Sequence, residues 1–330
     1  MIRIPDKRTL GGRFLPVMLL ATLALVLVLA LAGCGSSTTT TAPATSTSAA
    51  STSTTVAQTT TTAAQSTTTA KATTTTVRAA GDLVLASTTS TQDSGLFDVL
   101  IPAFEKAYPQ YQGKVKVVAV GSGEALKLGQ SKDADVLLVH SPAAEVDFMA
   151  KGYGIERKPV MYNDFIIVGP AGDPAGIKGM TSAKGAFAKI AAAQAPFYTR
   201  GDNSGTNAKE LAIWKDASVT PTGSWYIKTG QGMGETLTVT DQKNGYTLSD
   251  RATYLAQKSS LKLEILVEGD PTLFNQYHVI TVKDAVNQQG AKQFLDWIVS
   301  SDVQQNVIGT YGVQKYGRQL FIPNAATYKD

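Results

Sequence analysis

The chain has 330 residues, with 30 Lys and Arg against 26 Asp and Glu, a formal charge of +4. That excess sits at one end: residues 1–78 carry six basic side chains against Asp6 alone, which leaves 24 basic and 25 acidic groups in residues 79–330. A near-neutral globular part argues against a broad nucleic-acid surface, and one cysteine excludes both a disulfide framework and a cysteine-based structural zinc site.

In chain order, Arg3, Lys7, Arg8 and Arg13 precede an apolar run over residues 14–31. This is the form of a secretory signal peptide, although the run is also just long enough to span a bilayer as an anchor. The only cysteine, Cys34, directly follows Leu31-Ala32-Gly33. This tripeptide and cysteine resemble a bacterial lipobox, which implies cleavage after a signal peptide of residues 1–33 and lipidation of Cys34. Each buried acyl methylene contributes about 0.8 kcal/mol, so more than one chain gives stable anchoring. Residues 36–77 contain 20 Thr and 7 Ser in 42 positions, with almost no charge and no apolar periodicity. Such a stretch cannot bury enough surface to offset chain entropy. Residues 34–79 are therefore expected to be a disordered, lipid-anchored tether on the outer face of the cytoplasmic membrane.

Beyond residue 80 short apolar runs alternate with helical stretches. Residues 83–87, 114–120 and 134–139 read as strands. Residues 96–108 read as a helix with Leu96, Leu100, Ala103, Phe104 and Ala107 inward, followed by helices from Glu124 and after Pro142. Residues 164–169 form a further buried strand. A strand at 197–199 leads into a helix over 205–214, and the chain closes with a strand at 277–282 and a helix at 291–299. This alternation implies parallel sheets and right-handed crossovers. Two α/β lobes fit: residues 80–163 and 277–330 in the first, 164–276 in the second.

Three strand-to-helix loops are rich in hydroxyls and glycine: Ser87-Thr88-Thr89-Ser90-Thr91, before a helix capped near Asp93 or Ser94; Gly121-Ser122-Gly123; and Arg200-Gly201-Asp202-Asn203-Ser204-Gly205-Thr206. First-turn N–H groups lack intrahelical partners and carry the positive end of the helix dipole, so such loops favour anions. In an open parallel sheet they converge on one crevice. Arg200 adds a planar charged fork. Capping explains any one loop, but the hydroxyl run at 87–91 exceeds what one cap requires.

Enzyme readings are weaker. No nucleophile elbow or phosphate-binding P-loop is present. His140 and His278 are the only histidines, and neither has metal-ligand spacing. A hydrolase would need Ser141 or Ser204 against His140. An adhesion role for Arg200-Gly201-Asp202 would need that tripeptide exposed. Neither a catalytic group nor a cofactor is expected.

At these loops the chain resembles the tungstate-binding lipoproteins of bacterial ABC importers, which have the type II periplasmic-binding-protein fold. The likeness runs over residues 85–324. It rests on Ala86-Ser-Thr-Thr-Ser-Thr-Gln-Asp-Ser-Gly95, Val120-Gly-Ser-Gly-Glu-Ala-Leu126, Ala134-Asp-Val-Leu-Leu-Val-His140 and Tyr162-Asn-Asp-Phe-Ile-Ile-Val-Gly169. It continues in Arg200-Gly-Asp-Asn-Ser-Gly-Thr206, Gly245-Tyr-Thr-Leu-Ser-Asp-Arg251 and Leu320-Phe-Ile-Pro-Asn324. Two departures stand out. Ser87 replaces the first threonine of the family's usual Thr-Thr-Thr-Ser, and Asn203 replaces an aspartate often found before Ser-Gly-Thr.

The resemblance implies a two-lobed fold, each lobe a mainly parallel sheet flanked by helices. It implies that Thr88, Thr89, Ser90, Arg200, Ser204 and Thr206 hold an oxyanion, with Ser87, Ser122 and Gly205 as supporting or backbone donors. The expected ligand is tungstate, with molybdate and phosphate as alternatives. The expected partners are an ABC permease and the membrane, through lipid on Cys34. The protein would be a monomer without nucleic-acid or metal cofactor. A carboxylate at Asp202 facing the crevice would favour hydrogen phosphate. One paired with Arg200 or capping the helix would favour tungstate.

Overall fold

The structure, a computed structural model, describes Ala79 and residues 81–329. The expected signal peptide, Cys34 and, apart from Ala79, the tether lie outside the described residues.

The first sheet begins with β1 (Leu83–Thr88), which is buried along its whole length. Helices α1 (Thr89–Asp93) and α2 (Phe97–Ala107) follow, then β2 (Val115–Val120), α3 (Ser122–Gln130), β3 (Val136–Val139) and α4 (Pro142–Ala150). β1 lies parallel to both β2 and β3. Their carboxyl ends therefore point the same way, which brings Thr88, Gly121 and His140 to one edge.

The chain then enters β4 (Gly154–Gly169), the longest strand at 16 residues. Up to Asp164 it pairs antiparallel with the later strand β9 (Phe274–Val282). From Phe165 it pairs antiparallel with strands of a second body, β7 (Thr247–Asp250) and β8 (Glu264–Val267). Only the second half was legible as a strand, because Glu156, Arg157, Lys158 and Pro159 hide the first half's apolar content. Among the described residues, every antiparallel pair involves β4 or β9, and β4 is shared by the two bodies.

The second lobe adds α5 (Ala183–Ala192), β5 (Phe197–Thr199), α6 (Gly205–Asp216), β6 (Tyr226–Lys228), α7 (Met233–Gln242) and α8 (Arg251–Gln257). β5 and β6 pair in parallel, so two more strand-to-helix loops face one way. The chain returns through β9 to α9 (Gln288–Ile298), short helical turns and β10 (Ile322–Pro323) beside β4.

Separate cores hold the two bodies. Leu85, Leu100, Phe104, Val136, Phe294 and Ile298 pack on one face of the first sheet, with Ala86, Leu126, Leu137 and Phe148 on the other. Phe165, Ile167, Phe187, Phe197 and Trp214 fill the second lobe. Ala107 is exposed rather than inward. The helix expected to be capped near Asp93 or Ser94 is α2: the Ser94 hydroxyl accepts the Leu96 N–H at 3.3 Å just ahead of it, although Leu96 itself, at the N-cap, makes no side-chain cap. The hydroxyl run before it forms a short helix of its own, α1, whose N-cap is Thr88, extended at φ −113° and accepting the Thr91 N–H.

Candidate functional site

The first-lobe side is built from the ends of β1, β2 and β3. The Thr88 hydroxyl accepts the Thr91 N–H at 3.2 Å and lies 2.8 Å from the Thr91 hydroxyl. It also lies 3.2 Å from His140 Nε2. The Ser87 hydroxyl donates to the Leu138 carbonyl at 2.6 Å, tying β1 to β3. Ser122, in the first turn of α3, is fully buried, and its hydroxyl accepts the His140 N–H at 3.5 Å.

The second-lobe side is the loop from β5 into α6. Arg200 is 2% exposed, so its charge is almost fully withdrawn from water. Such burial requires partners, and they come from both lobes. Its Nη2 donates to Thr89 Oγ1 at 3.0 Å and its Nη1 to Ser90 Oγ at 3.3 Å. Nε and Nη2 donate to Asp202 Oδ2 at 3.1 and 2.6 Å. Asp202 Oδ1 accepts the Ser204 N–H at 3.1 Å. Asp202 therefore both pairs with Arg200 and braces the start of α6. Ser204 caps α6 by accepting the Asn207 N–H. Thr206, in the first turn, is 1% exposed, and its hydroxyl has no hydrogen-bond partner.

Glycines let the two sides meet. A Cβ on Gly121 would lie 3.2 Å from Ser204 Cα, and one on Gly123 would lie 2.8 Å from the Asn203 carbonyl. A Cβ on Gly205 would fall 2.5 Å from the His140 carbonyl and 2.6 Å from its Nδ1. No side chain fits there without moving backbone, so the lobes touch through bare main chain.

His140 is locked and neutral. Its Nδ1 lies 3.1 Å from Asn275 Oδ1. The Asn275 amide is oriented by its own donation to Asn163 Oδ1 at 2.7 Å. Nδ1 therefore carries the hydrogen, and Nε2 accepts from Thr88. Burial, reinforced by the Arg200 charge, pushes the His140 pKa down to about 3. That is too low for a general base near pH 7. Both ring nitrogens are committed to Asn275 and Thr88, so the serine–histidine pair of a hydrolase is not formed with Ser141 or Ser204. A buried Arg200 likewise removes the exposed tripeptide that adhesion needs. His278 has a structural place: it lies 2.7 Å from buried Glu145, which also pairs with Arg157.

The structure thus gathers Thr88, Thr89, Ser90, Ser122, Arg200, Ser204 and Gly205 through direct contacts, with Thr206 one residue beyond Gly205. Ser87 lies at the edge with its hydroxyl turned to the sheet. Sequence reasoning missed three features. Asp250 is fully buried, takes hydrogen bonds from Thr253 and Ser90, and is raised by burial to a pKa of about 6. Asn275 and Asn163, which orient His140, fall just outside the strands read at 277–282 and 164–169. The Gly230–Gly234 loop lies against Thr89 and Asp93. Its G-x-G-x-G spacing before a helix was the signal available.

The family described as "PBP superfamily domain" matches residues 37–302. The tungstate-binding protein TupA of Peptoclostridium acidaminophilum is 51% identical over 252 residues, covering 74% of this chain and 87% of that one. The tungstate-binding protein TupA of Campylobacter jejuni is 41% identical over 250 residues, covering 73% and 90%. Among solved structures, the tungstate-binding protein TupA from Desulfovibrio alaskensis G20 is 45% identical with a TM-score of 0.60, covering 74% of this chain and all (100%) of that one. The tungstate ABC transporter structure from Geobacter sulfurreducens is also 45% identical, with a TM-score of 0.62 and coverages of 68% and 97%.

Proposed function

The chain belongs to the PBP superfamily, and we propose that it is the extracytoplasmic solute-binding component of an ABC importer that captures tungstate between its lobes. The relatives described above as tungstate-binding proteins support the ligand class. The observation that carries the reading to this chain is that one loop holds both the buried Arg200 and the buried, unpartnered hydroxyl of Thr206. A buried polar hydrogen without an acceptor is costly, and an oxyanion oxygen would satisfy it.

The donors can be named. Of the five N–H bonds of a guanidinium, Arg200 directs four to Asp202, Thr89 and Ser90, which leaves one on Nη1. Thr89 accepts from Arg200, so its own hydrogen is available. Thr206 supplies another, and the first-turn N–H groups of α6 add dipole. Thr88 acts differently: its hydrogen goes to His140, so it holds the loop instead of donating to the ligand. Ser87 and Ser122 also act as supports, whereas Ser204, which accepts the Asn207 N–H, keeps its own hydrogen for the ligand as Thr89 does. Charged hydrogen bonds contribute about 1.5–3 kcal/mol each, whereas nanomolar capture needs about 12 kcal/mol. Several such bonds in a water-free cleft are therefore required.

Asp202 bears on selectivity. Both its oxygens are occupied by Arg200 and the Ser204 N–H, so it is a poor acceptor for the proton of hydrogen phosphate. That favours an oxyanion with no proton to give. Lobe closure would present a surface to the permease. The basic, apolar start of the chain and Leu31-Ala32-Gly33-Cys34 support export, lipid anchoring at Cys34 and a tether over residues 34–79 outside the cytoplasmic membrane. We assign residues 80–163 and 277–330 to the first lobe and 164–276 to the second, in a monomer.

The test is calorimetric titration of the chain and of Arg200→Ala with tungstate, molybdate, sulfate and phosphate. Tight tungstate binding that the substitution abolishes is expected. Preference for phosphate, or unchanged tungstate affinity in Arg200→Ala, overturns the reading.

A further inference from the structure

Helix α7 has an incomplete start. Its N-cap is Gly232, which has no side chain with which to accept a first-turn N–H. Ten-residue helices ordinarily meet this need with Ser, Thr, Asp or Asn at that position. Here the acceptor comes from across the cleft. Asp93, the last residue of α1 in the first lobe, takes the Gly234 N–H on its Oδ2 at 3.0 Å. The approach is close at Gly234, where an added Cβ would lie 3.1 Å from Asp93 Oδ2; one on Gly232 would make an ordinary contact, 3.4 Å, with Thr89 Cβ. A carboxylate at a helix N-terminus also meets the positive end of the dipole.

We propose that Asp93 is a positioning residue for ligand capture: it caps α7 in trans and latches the lobes together, so that it governs how long the ligand is held without touching it. The inference rests on the reading above for what is held, but not for the latch. Asp93 is on the same short helix as Thr89 and Ser90, which Arg200 grips. Separation of the lobes would strip α7 of its cap and α1 of its place at the same time. The latch thereby links helix capping to closure over the site.

The charges around Asp93 make the alternative testable. Arg200 attracts its carboxylate, while Glu235 on α7 repels it, and burial raises its pKa. Asp250, at the start of α8, faces it as a second carboxylate. If Asp93 were only a negative charge near an anion site, its removal would tighten tungstate binding. If it is the latch, removal weakens binding.

Stopped-flow dissociation of tungstate from the full chain separates these outcomes. Asp93→Ala is expected to release tungstate about tenfold faster, as loss of a helix cap predicts, with association nearly unchanged. Asp93→Asn, which keeps a neutral acceptor, is expected to fall between the two. Slower release in Asp93→Ala overturns the proposal, as does an unchanged rate. The lobe separation is read independently, by spin labels at K127C and K215C in a C34S background. Asp93→Ala should shift ligand-free molecules toward longer distances, and an unshifted distribution also overturns the latch. Failure of the unsubstituted protein to bind tungstate sinks only the ligand assignment, because the distance measurement still decides the latch.

Discussion

Two arginines with largely covered side chains show how one kind of ion pair serves two purposes. Arg157 sits within the first lobe. Its Nε donates to Glu145 at 3.0 Å, its Nη2 lies 3.1 Å from His278, and Glu145 and His278 are both fully buried. Glu145 also takes the Ser141 N–H, directly after the site residue His140. All of these partners lie on or beside the first sheet. Arg200 instead divides its bonds between its own loop and Thr89 and Ser90 of the other lobe. An ion pair confined to a lobe stabilises that lobe in every state. One whose remaining donors cross a cleft is complete only when the lobes meet.

The contrast is broken most strongly at Glu145. Glu145→Ala removes a fully buried carboxylate that pairs with both Arg157 and His278, which is expected to cost about 3–5 kcal/mol of stability. Chemical denaturation should show this, while the folded protein keeps its tungstate affinity. A normal stability, or a selective loss of affinity, would dissolve the distinction between the two arginines.

A second test uses pH. Burial raises the pKa of Asp250 from 3.8 to about 6 in the folded protein. A raised carboxyl favours folding most at low pH. Its contribution is fully present below about pH 4 and is lost as pH rises through about 6, amounting to about 3 kcal/mol. His140 runs the other way: with its pKa lowered to about 3, it favours folding above about pH 6.5 and loses that contribution as pH falls. Asp250→Asn isolates the first effect. The variant should gain stability relative to the parent as pH rises from about 4 to about 6. A pH-independent difference between the two denaturation curves would contradict the assignment.

Smaller effects sharpen the cross-cleft side. Gly205→Ala puts a methyl group 2.5 Å from the His140 carbonyl. Overpacking of this kind costs about 2 kcal/mol, and here it falls on closure, so tungstate affinity drops while the melting temperature of the ligand-free protein holds. Equal losses in both would place the strain inside one lobe. Thr206→Val removes one hydroxyl of similar shape, with an expected loss of about 1 kcal/mol of binding. Calorimetry showing no change would remove Thr206 from the donor set.

Much of the site was legible because its design is local. A buried strand followed by hydroxyls, glycine and a helix start is a pattern within ten residues, so Thr88–Ser90, Ser122 and Arg200–Thr206 stood out. The partners that govern these residues were not legible. His140 looked like an ordinary strand-end histidine, since Asn275 is 135 positions away. Asp93 looked like a helix cap for its own segment, while its acceptor role lies with Gly234, 141 positions on. Residues 197–199 were readable as a strand, but β6, α7 and the first half of β4 were obscured by polar or short sequences whose burial arises only on packing.

The sequence alone determined the alternation of strands and helices, the near neutrality of the globular part and the loops able to meet an anion. Those follow from periodicity and from residue types that act within a turn or two. The tertiary structure decided what each hydroxyl does. Ser87 and Thr88 adjoin Thr89 and share its chemistry, yet they point at the Leu138 carbonyl and His140, while Thr89 meets Arg200 from the other lobe. A hydroxyl's direction is set by whichever partner lies within about 3 Å, and those partners are brought there by distant parts of the chain.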